Sequence, residues 1–194
     1  MRVITVMHTK GGVGKTTSVI YLGTAASQRG IDVTVVDADP QGSALDWAAV
    51  AKQQGAALPY PLIPAGREIP VPDIEAELVI IDTPPGTAPI IQKSIDVADL
   101  VLVPAGASPL EIRRVRPTLE ITAHRPTAVL LTRVDLRARL VDECRQMLEE
   151  DGVPVVQNMV LARQAIARRF GLPPTDLYGY DEVLTELMEV LEHV

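Results

Sequence analysis

Eight residues near the N-terminus, Lys10-Gly11-Gly12-Val13-Gly14-Lys15-Thr16-Thr17, combine glycines with two lysines and two hydroxyls. Backbone N–H groups presented by a glycine loop, an ammonium and a hydroxyl are the groups that hold a phosphate chain and the Mg²⁺ bound to it. Lys15 stands where such a lysine reaches the β- and γ-phosphates, and Thr16 where a hydroxyl meets Mg²⁺. The spacing departs from the ordinary G-x-x-x-x-G-K-[ST]: Thr9 takes the first glycine's place, and Lys10 adds a second positive charge. Of the 18 basic residues only four are lysines, and two of those four are in this loop. A compact ammonium on a flexible stem suits a phosphate as a point charge, where a guanidinium fork would be bulky.

Two acidic motifs follow. Val35-Val36 runs into Asp37-Ala38-Asp39-Pro40-Gln41-Gly42, and the two-residue spacing predicts both carboxylates on one side of a strand end. Leu78-Val79-Ile80-Ile81-Asp82 is an aliphatic run that delivers one carboxylate at its end, as a Walker B strand does beside Mg²⁺. Beside a phosphate site such acids hold the metal or position an attacking water.

These residues need elements that bring them together. Short aliphatic runs alternate with helical stretches, which predicts an α/β fold: a single P-loop NTPase domain over 1–194, with a mostly parallel twisted sheet flanked by helices on both faces. Strands are expected near 2–7, 32–37, 77–82, 99–104, 127–132 and 153–157. Helices are expected over 15–29, 43–54, 89–97, 110–123, 138–151, 160–170 and 180–192. Gly30 ends the first helix, and the proline-rich stretch 59–72 is a surface connection with at most a short strand. In such sheets ligands bind at the C-terminal strand ends, where all the motifs above lie.

Composition narrows the class. A hydrophobic fraction of 47% with 3% aromatics means an aliphatic core, and a single cysteine, Cys144, excludes an intramolecular disulfide framework. No signal peptide or long apolar span is seen, which points to a cytoplasmic protein. The net charge of −7 is unevenly spread: residues 1–104 carry −4, residues 105–175 carry +3 with 11 arginines, and residues 176–194 carry −6 with no basic residue. The basic part is a segment rather than a whole surface.

The loop Lys10–Thr17, the Asp37–Gly42 segment and Ile81-Asp82-Thr83-Pro84-Pro85-Gly86 closely resemble the deviant Walker A ATPases, the ParA/MinD group, and the likeness runs through nearly the whole chain. Pro104-Ala105-Gly106-Ala107-Ser108-Pro109-Leu110 resembles the proline-containing loop of short plasmid-partition ParA proteins. The resemblance implies ATP and Mg²⁺ as cofactors, with ATP sandwiched between two subunits. It implies that Lys10 reaches the partner's nucleotide and Lys15 its own. Gly11, Gly12, Val13, Gly14 and Thr17 would frame the phosphates, with Pro109 also at the nucleotide. Thr16, Asp37 and Asp82 would serve the metal, and Asp39 the attacking water. Arg133, in Leu131-Thr132-Arg133-Val134-Asp135, replaces the lysine of the guanine code and is a candidate for stacking on the base.

Within the group, one cysteine is too few for a bridging iron–sulfur cluster. The C-terminal stretch is amphipathic, with Val183, Leu184, Leu187, Met188 and Leu191 on one face, but acidic opposite; it reads as a core-packing helix and not a membrane anchor. With the loop starting at residue 10, the sequence has no room for an N-terminal DNA-binding domain and resembles the short partition form. That form implies non-specific DNA binding by an ATP-bound homodimer, a nucleoid-associated location when ATP is bound, and a ParB-type centromere-binding partner that stimulates hydrolysis. Arg163, Arg168 and Arg169, with Arg137 and Arg139, are the candidate DNA contacts. The alternative is a MinD-like or other cargo-positioning ATPase that does not act on DNA. His8 is read as supporting the loop's backbone, Trp47 as an anchor of the second helix, and Phe170 as packing the late helix onto the core.

Overall fold

The computed structural model describes residues 1–86, 88–135 and 140–193. Six strands, β1 (Arg2–Val6), β2 (Val33–Asp37), β3 (Leu62–Pro64), β4 (Leu78–Asp82), β5 (Leu100–Gly106) and β6 (Thr127–Thr132), form one sheet in the order β3-β2-β4-β1-β5-β6. All five pairings are parallel. Parallel strands need crossovers, and the crossovers bury both faces, so the strands read as continuous aliphatic runs.

The alternation along each strand divides the core. Ile4, Val6, Leu78, Ile80, Leu100, Leu102 and Leu130 face one side, against α1 (Lys15–Gln28), α2 (Ser43–Gln53) and α8 (Tyr180–Glu192). Val101, Val103, Val129 and Leu131 face the other, against α3 (Pro89–Asp96), α4 (Pro109–Arg113) and α6 (Leu140–Glu150). Every residue of α1 from Ser18 to Ala26 is buried, because the helix lies between the sheet and α8. Its Gly23 allows close approach: a Cβ there would stand 2.8 Å from Tyr60 Cζ. The terminal helix packs as expected, burying Tyr180, Val183, Leu184, Leu187 and Leu191. Among the described residues no helix is long and apolar enough to cross a membrane.

Three expected elements differ. The helix expected over 110–123 is two, α4 and α5 (Arg116–Thr122), because Pro117 has no N–H to donate and its ring would meet the carbonyl of Arg113. The strand expected at 153–157 is a single bridge, Val129 to Val155, since Pro154 has no N–H to continue a ladder. The helix expected over 160–170 shrinks to one turn, α7 (Gln164–Ala167). Here sheet pairing outcompetes helix propensity: Val160 N–H donates to Leu131 O and Ala162 N–H to Val134 O, both at 2.9 Å, which keeps 160–162 extended. The proline-rich stretch holds the short edge strand β3 and a 3₁₀ turn at Val71–Asp73.

Candidate nucleotide site

The glycine loop joins β1 to α1 and is fastened from three sides. Gly86 N–H donates to Thr9 O at 2.8 Å, Thr132 Oγ1 to Val13 O at 3.4 Å and an Arg133 guanidinium N–H to Gly12 O at 3.0 Å. Gly12 at φ 71° and Gly14 at φ 101° adopt left-handed backbone that side chains resist, and Gly14 thereby starts α1. Thr9 is outside that region, so its position needs no glycine; instead its N–H and hydroxyl meet Thr118 Oγ1 at 3.2 Å. Val13 is 1% exposed and points into the core, leaving only its backbone for a ligand.

His8 lies beneath the loop, fully buried, and its Nδ1 accepts the Lys10 N–H at 3.0 Å. Burial, with the nearby Lys15 charge, pushes its pKa down to about 4, so the ring is neutral at pH 7. The backbone support expected of His8 is therefore visible.

The two lysines have different surroundings. Lys15 is 7% exposed and its Nζ donates to Lys10 O at a long 3.4 Å. Burial lowers its pKa, against the pull of Asp82 and Asp39. Lys10 stands at the rim, its side chain 39% exposed, with Nζ 2.7 Å from Glu111 Oε1.

Asp82 and Asp37 are register partners on adjacent strands, yet do different things. Asp82 is fully buried; Oδ2 accepts from Thr16 Oγ1 at 2.7 Å, and Oδ1 has no partner among the described residues. Burial pushes its pKa up to about 7, opposed by the Thr16 hydrogen bond. An unpartnered buried carboxylate oxygen beside a hydroxyl is a hard-oxygen donor set that fits Mg²⁺. Asp37 is saturated: its oxygens accept backbone N–H groups of Asp39, Ala44 and Leu45, each at 3.0 Å, which fixes the turn into α2. The expected common orientation of Asp37 and Asp39 does not arise, because β2 ends at Asp37 and strand alternation stops there. Asp39 instead lines the cavity, its Oδ1 accepting from Gln41 N–H at 2.9 Å. Among the described residues no three His, Cys, Asp or Glu side chains gather as a metal cluster, so a cation here would take most of its ligands from phosphate and water.

A cavity of about 600 Å³ opens over the loop. Its walls combine Gly11, Gly12, Gly14, Lys15, Thr16, Thr17 and Asp39 with Trp47, Val160, Leu161, Ile166, Phe170 and Tyr180, and include Arg133 and Arg163. The lining supplies both donors and charge and apolar and aromatic surface, the two kinds that an anionic chain joined to a planar ring would require. Pro109 is not on this wall; it opens α4 behind the capping residue Ser108.

The arginines of the late segment are dispersed. Arg163 borders the cavity, Arg168 is exposed at the end of α7, and Arg169 folds back to Pro173 O at 2.9 Å and Thr175 Oγ1 at 3.1 Å. With α7 only one turn long, they share no helix face; Arg137 and Arg139 lie outside the described residues. Phe170 does not pack into the core but is 53% exposed, leaning on Trp47 at 5.5 Å between ring centroids. Trp47 is the anchor expected, its Nε1–H donating to Leu172 O at 2.9 Å, and also a cavity wall. Sequence reading missed Glu111 and the aromatic lining of the cavity. Glu111 carried one signal, the capping pattern Ser108-Pro109-Leu110-Glu111, which accounts for its backbone bond to Ser108 Oγ at 3.3 Å but not for its side chain's reach to Lys10.

Comparison with known proteins agrees with this arrangement. Over 181 residues the chain is 34% identical to Maintenance of carboxysome distribution protein A of Gloeobacter kilaueensis, covering 86% of this chain and 80% of that one. It is 27% identical to Protein ParA of Rhizobium radiobacter, covering 88% and 82% of the two chains. The fold matches cobyrinic acid a,c-diamide synthase of Mycobacterium smegmatis, solved with an ATP analogue and magnesium, at a TM-score of 0.79 with 22% identity, covering 99% of this chain and 96% of that one. The model of the CobQ/CobB/MinD/ParA nucleotide-binding domain matches residues 4–171, and the chain belongs to that family.

Proposed function

We propose that the chain is an ATPase of the partition type, in which ATP holds two copies face to face and hydrolysis releases them. The observation that carries this reading is the unequal pair of lysines: Lys15 buried at the phosphate end, Lys10 at the rim with its side chain 39% exposed. One ammonium suffices for the subunit's own phosphates. A second at the rim meets a nucleotide held opposite, offsetting the repulsion between two facing ATP molecules. Thr16 and Asp82 would hold Mg²⁺, which neutralises charge on the phosphates. Gly11, Gly12 and Gly14 with Thr17 present the loop's donors, Asp39 orients water, and Asp37 keeps the Asp39 turn in shape through its three backbone bonds. A ligand that binds the paired state better than the single copy drives pairing by mass action.

In this reading the ATP-bound homodimer holds DNA non-specifically, so it is nucleoid-associated in the cytoplasm while ATP is bound, and a ParB-type partner triggers hydrolysis and release. Doubling a few weak phosphate contacts on pairing makes binding depend on nucleotide. A second reading, positioning of a cargo other than DNA with the same ATP cycle, is favoured by the 34% identity to a carboxysome distribution protein, against 27% to Protein ParA. Light scattering with ATP and Mg²⁺ tests the cycle: wild type pairs, and Lys10→Ala binds ATP but stays single. Pairing by Lys10→Ala equal to wild type would remove the basis for the reading. A gel shift on non-specific DNA separates the two cargoes: retardation only with ATP supports partition, and none in either state supports the second reading.

A further inference from the structure

The ammonium that this reading sends to a second copy is already engaged. Lys10 Nζ donates to Glu111 Oε1 at 2.7 Å within the same chain. Glu111 is a strong holder: its side chain is 17% exposed, and the bond from Lys10 keeps its carboxyl below the usual carboxylate range. It sits at the third position of α4, where the Ser108 cap fixes its backbone. Its grip is also incomplete. Oε2 is buried without a partner among the described residues, and Arg114, a turn along at 3.1 Å, shares the same Oε1 with Lys10. A partly buried pair of this kind holds a flexible lysine yet can exchange for a stronger anion.

We propose that Glu111 is a positioning residue that holds Lys10 on its own subunit until a facing nucleotide phosphate displaces it, and so sets the nucleotide level at which two copies pair. The inference rests on the trans role assigned to Lys10 above. Each copy must surrender one Lys10–Glu111 bond, so a latch worth about threefold per copy opposes pairing about tenfold. Arg114 competes for the same oxygen and weakens the latch.

The test is a light-scattering titration of pairing with a non-hydrolysable ATP analogue and Mg²⁺. Glu111→Gln, which keeps shape and removes charge, should strengthen pairing about tenfold. Arg114→Ala, which leaves Lys10 uncontested, should weaken it about twofold. A merely structural role for Glu111 predicts no gain from Glu111→Gln and no opposite shift from Arg114→Ala. Unchanged or weaker pairing in Glu111→Gln, with a wild-type melting temperature, overturns the latch. So does a shift of both variants in one direction. If wild type pairs, Lys10→Ala does not and Glu111→Gln behaves as wild type, the latch fails while the trans lysine survives. If wild type itself never pairs, both fail together.

Discussion

The glycine loop and the late segment 160–172 both line one cavity but take their backbone shape by different means. The loop takes its shape locally, from two left-handed glycines and from His8 two positions from the amide it accepts, and its position from ties to Gly86, Thr118, Thr132 and Arg133. The late segment is held from elsewhere. Its first part pairs with the end of β6 and the chain beyond, through Leu131 and Val134, and its last part hangs on Trp47 of α2, a hydrogen bond spanning 125 residues. The backbone conformation of a phosphate site is thereby set by nearby sequence, even where its position is not. A wall for the remainder of a ligand depends on contacts that sequence spacing does not record.

The largest expected effect breaks the late segment alone. Trp47 is 4% exposed, donates to Leu172 O and carries the Phe170 ring, so Trp47→Ala should cost about 3–5 kcal/mol of stability. Hydrogen exchange checks the asymmetry: amides of 160–172 should lose protection while those of α1 keep theirs. Equal loss in both regions would mean that they are one cooperative unit.

Lys15→Met breaks the other end. The stem is kept and the ammonium lost, so affinity for ATP should fall at least about 100-fold by calorimetry. Stability without nucleotide should hold or rise, because burial lowers the Lys15 pKa and the charged form is therefore a net cost to the folded state. A fall in melting temperature would show that the ammonium stabilises the loop unaided.

The legibility of the chain follows the same division. Six aliphatic runs predicted five of the observed strands closely, and the short β3 fell within the proline-rich stretch where a short strand was allowed. Thr9 in the glycine's place was readable as a departure, and its reason, the ties to Thr118 and Gly86, was not, since those partners lie 109 residues away in one case and on β4's far side in the other. Pro117 and Pro154 were visible breakers whose effects on 110–123 and 153–157 needed only the missing N–H to be followed through. The shortening of 160–170 was not visible, because the winning force was the free edge beside β6. Asp37 and Asp39 had the right types; the end of β2 between them decided that one would brace a turn and the other face the cavity.

His8 sharpens the local side of the comparison through pH. Its pKa is about 4 in the folded chain, against 6.5 for an unperturbed imidazole. Between these values the unfolded chain binds more protons than the folded one, so stability rises with pH across this window. The His8 contribution is fully present above pH 6.5 and is lost as pH falls toward 4, on the order of 3 kcal/mol. His8→Gln, which keeps an acceptor for the Lys10 amide, should flatten the stability profile between those limits in denaturant titrations. An unaltered slope would assign the acid sensitivity to carboxylates elsewhere.

Phe170→Ala makes the smallest and most selective change. The ring is 53% exposed, so its removal should alter stability by less than about 1 kcal/mol, far below the Trp47 effect. The ring is tilted against Trp47 and lines the cavity. Its loss should therefore weaken a ligand that carries a planar ring by about three- to tenfold and leave a bare phosphate chain untouched. Parallel calorimetric titrations with ATP and with inorganic triphosphate separate the two. Equal losses for both ligands would mean that Phe170 acts through the loop, and that the two ends of the cavity are not independent. A loss confined to ATP would place the base against the late segment.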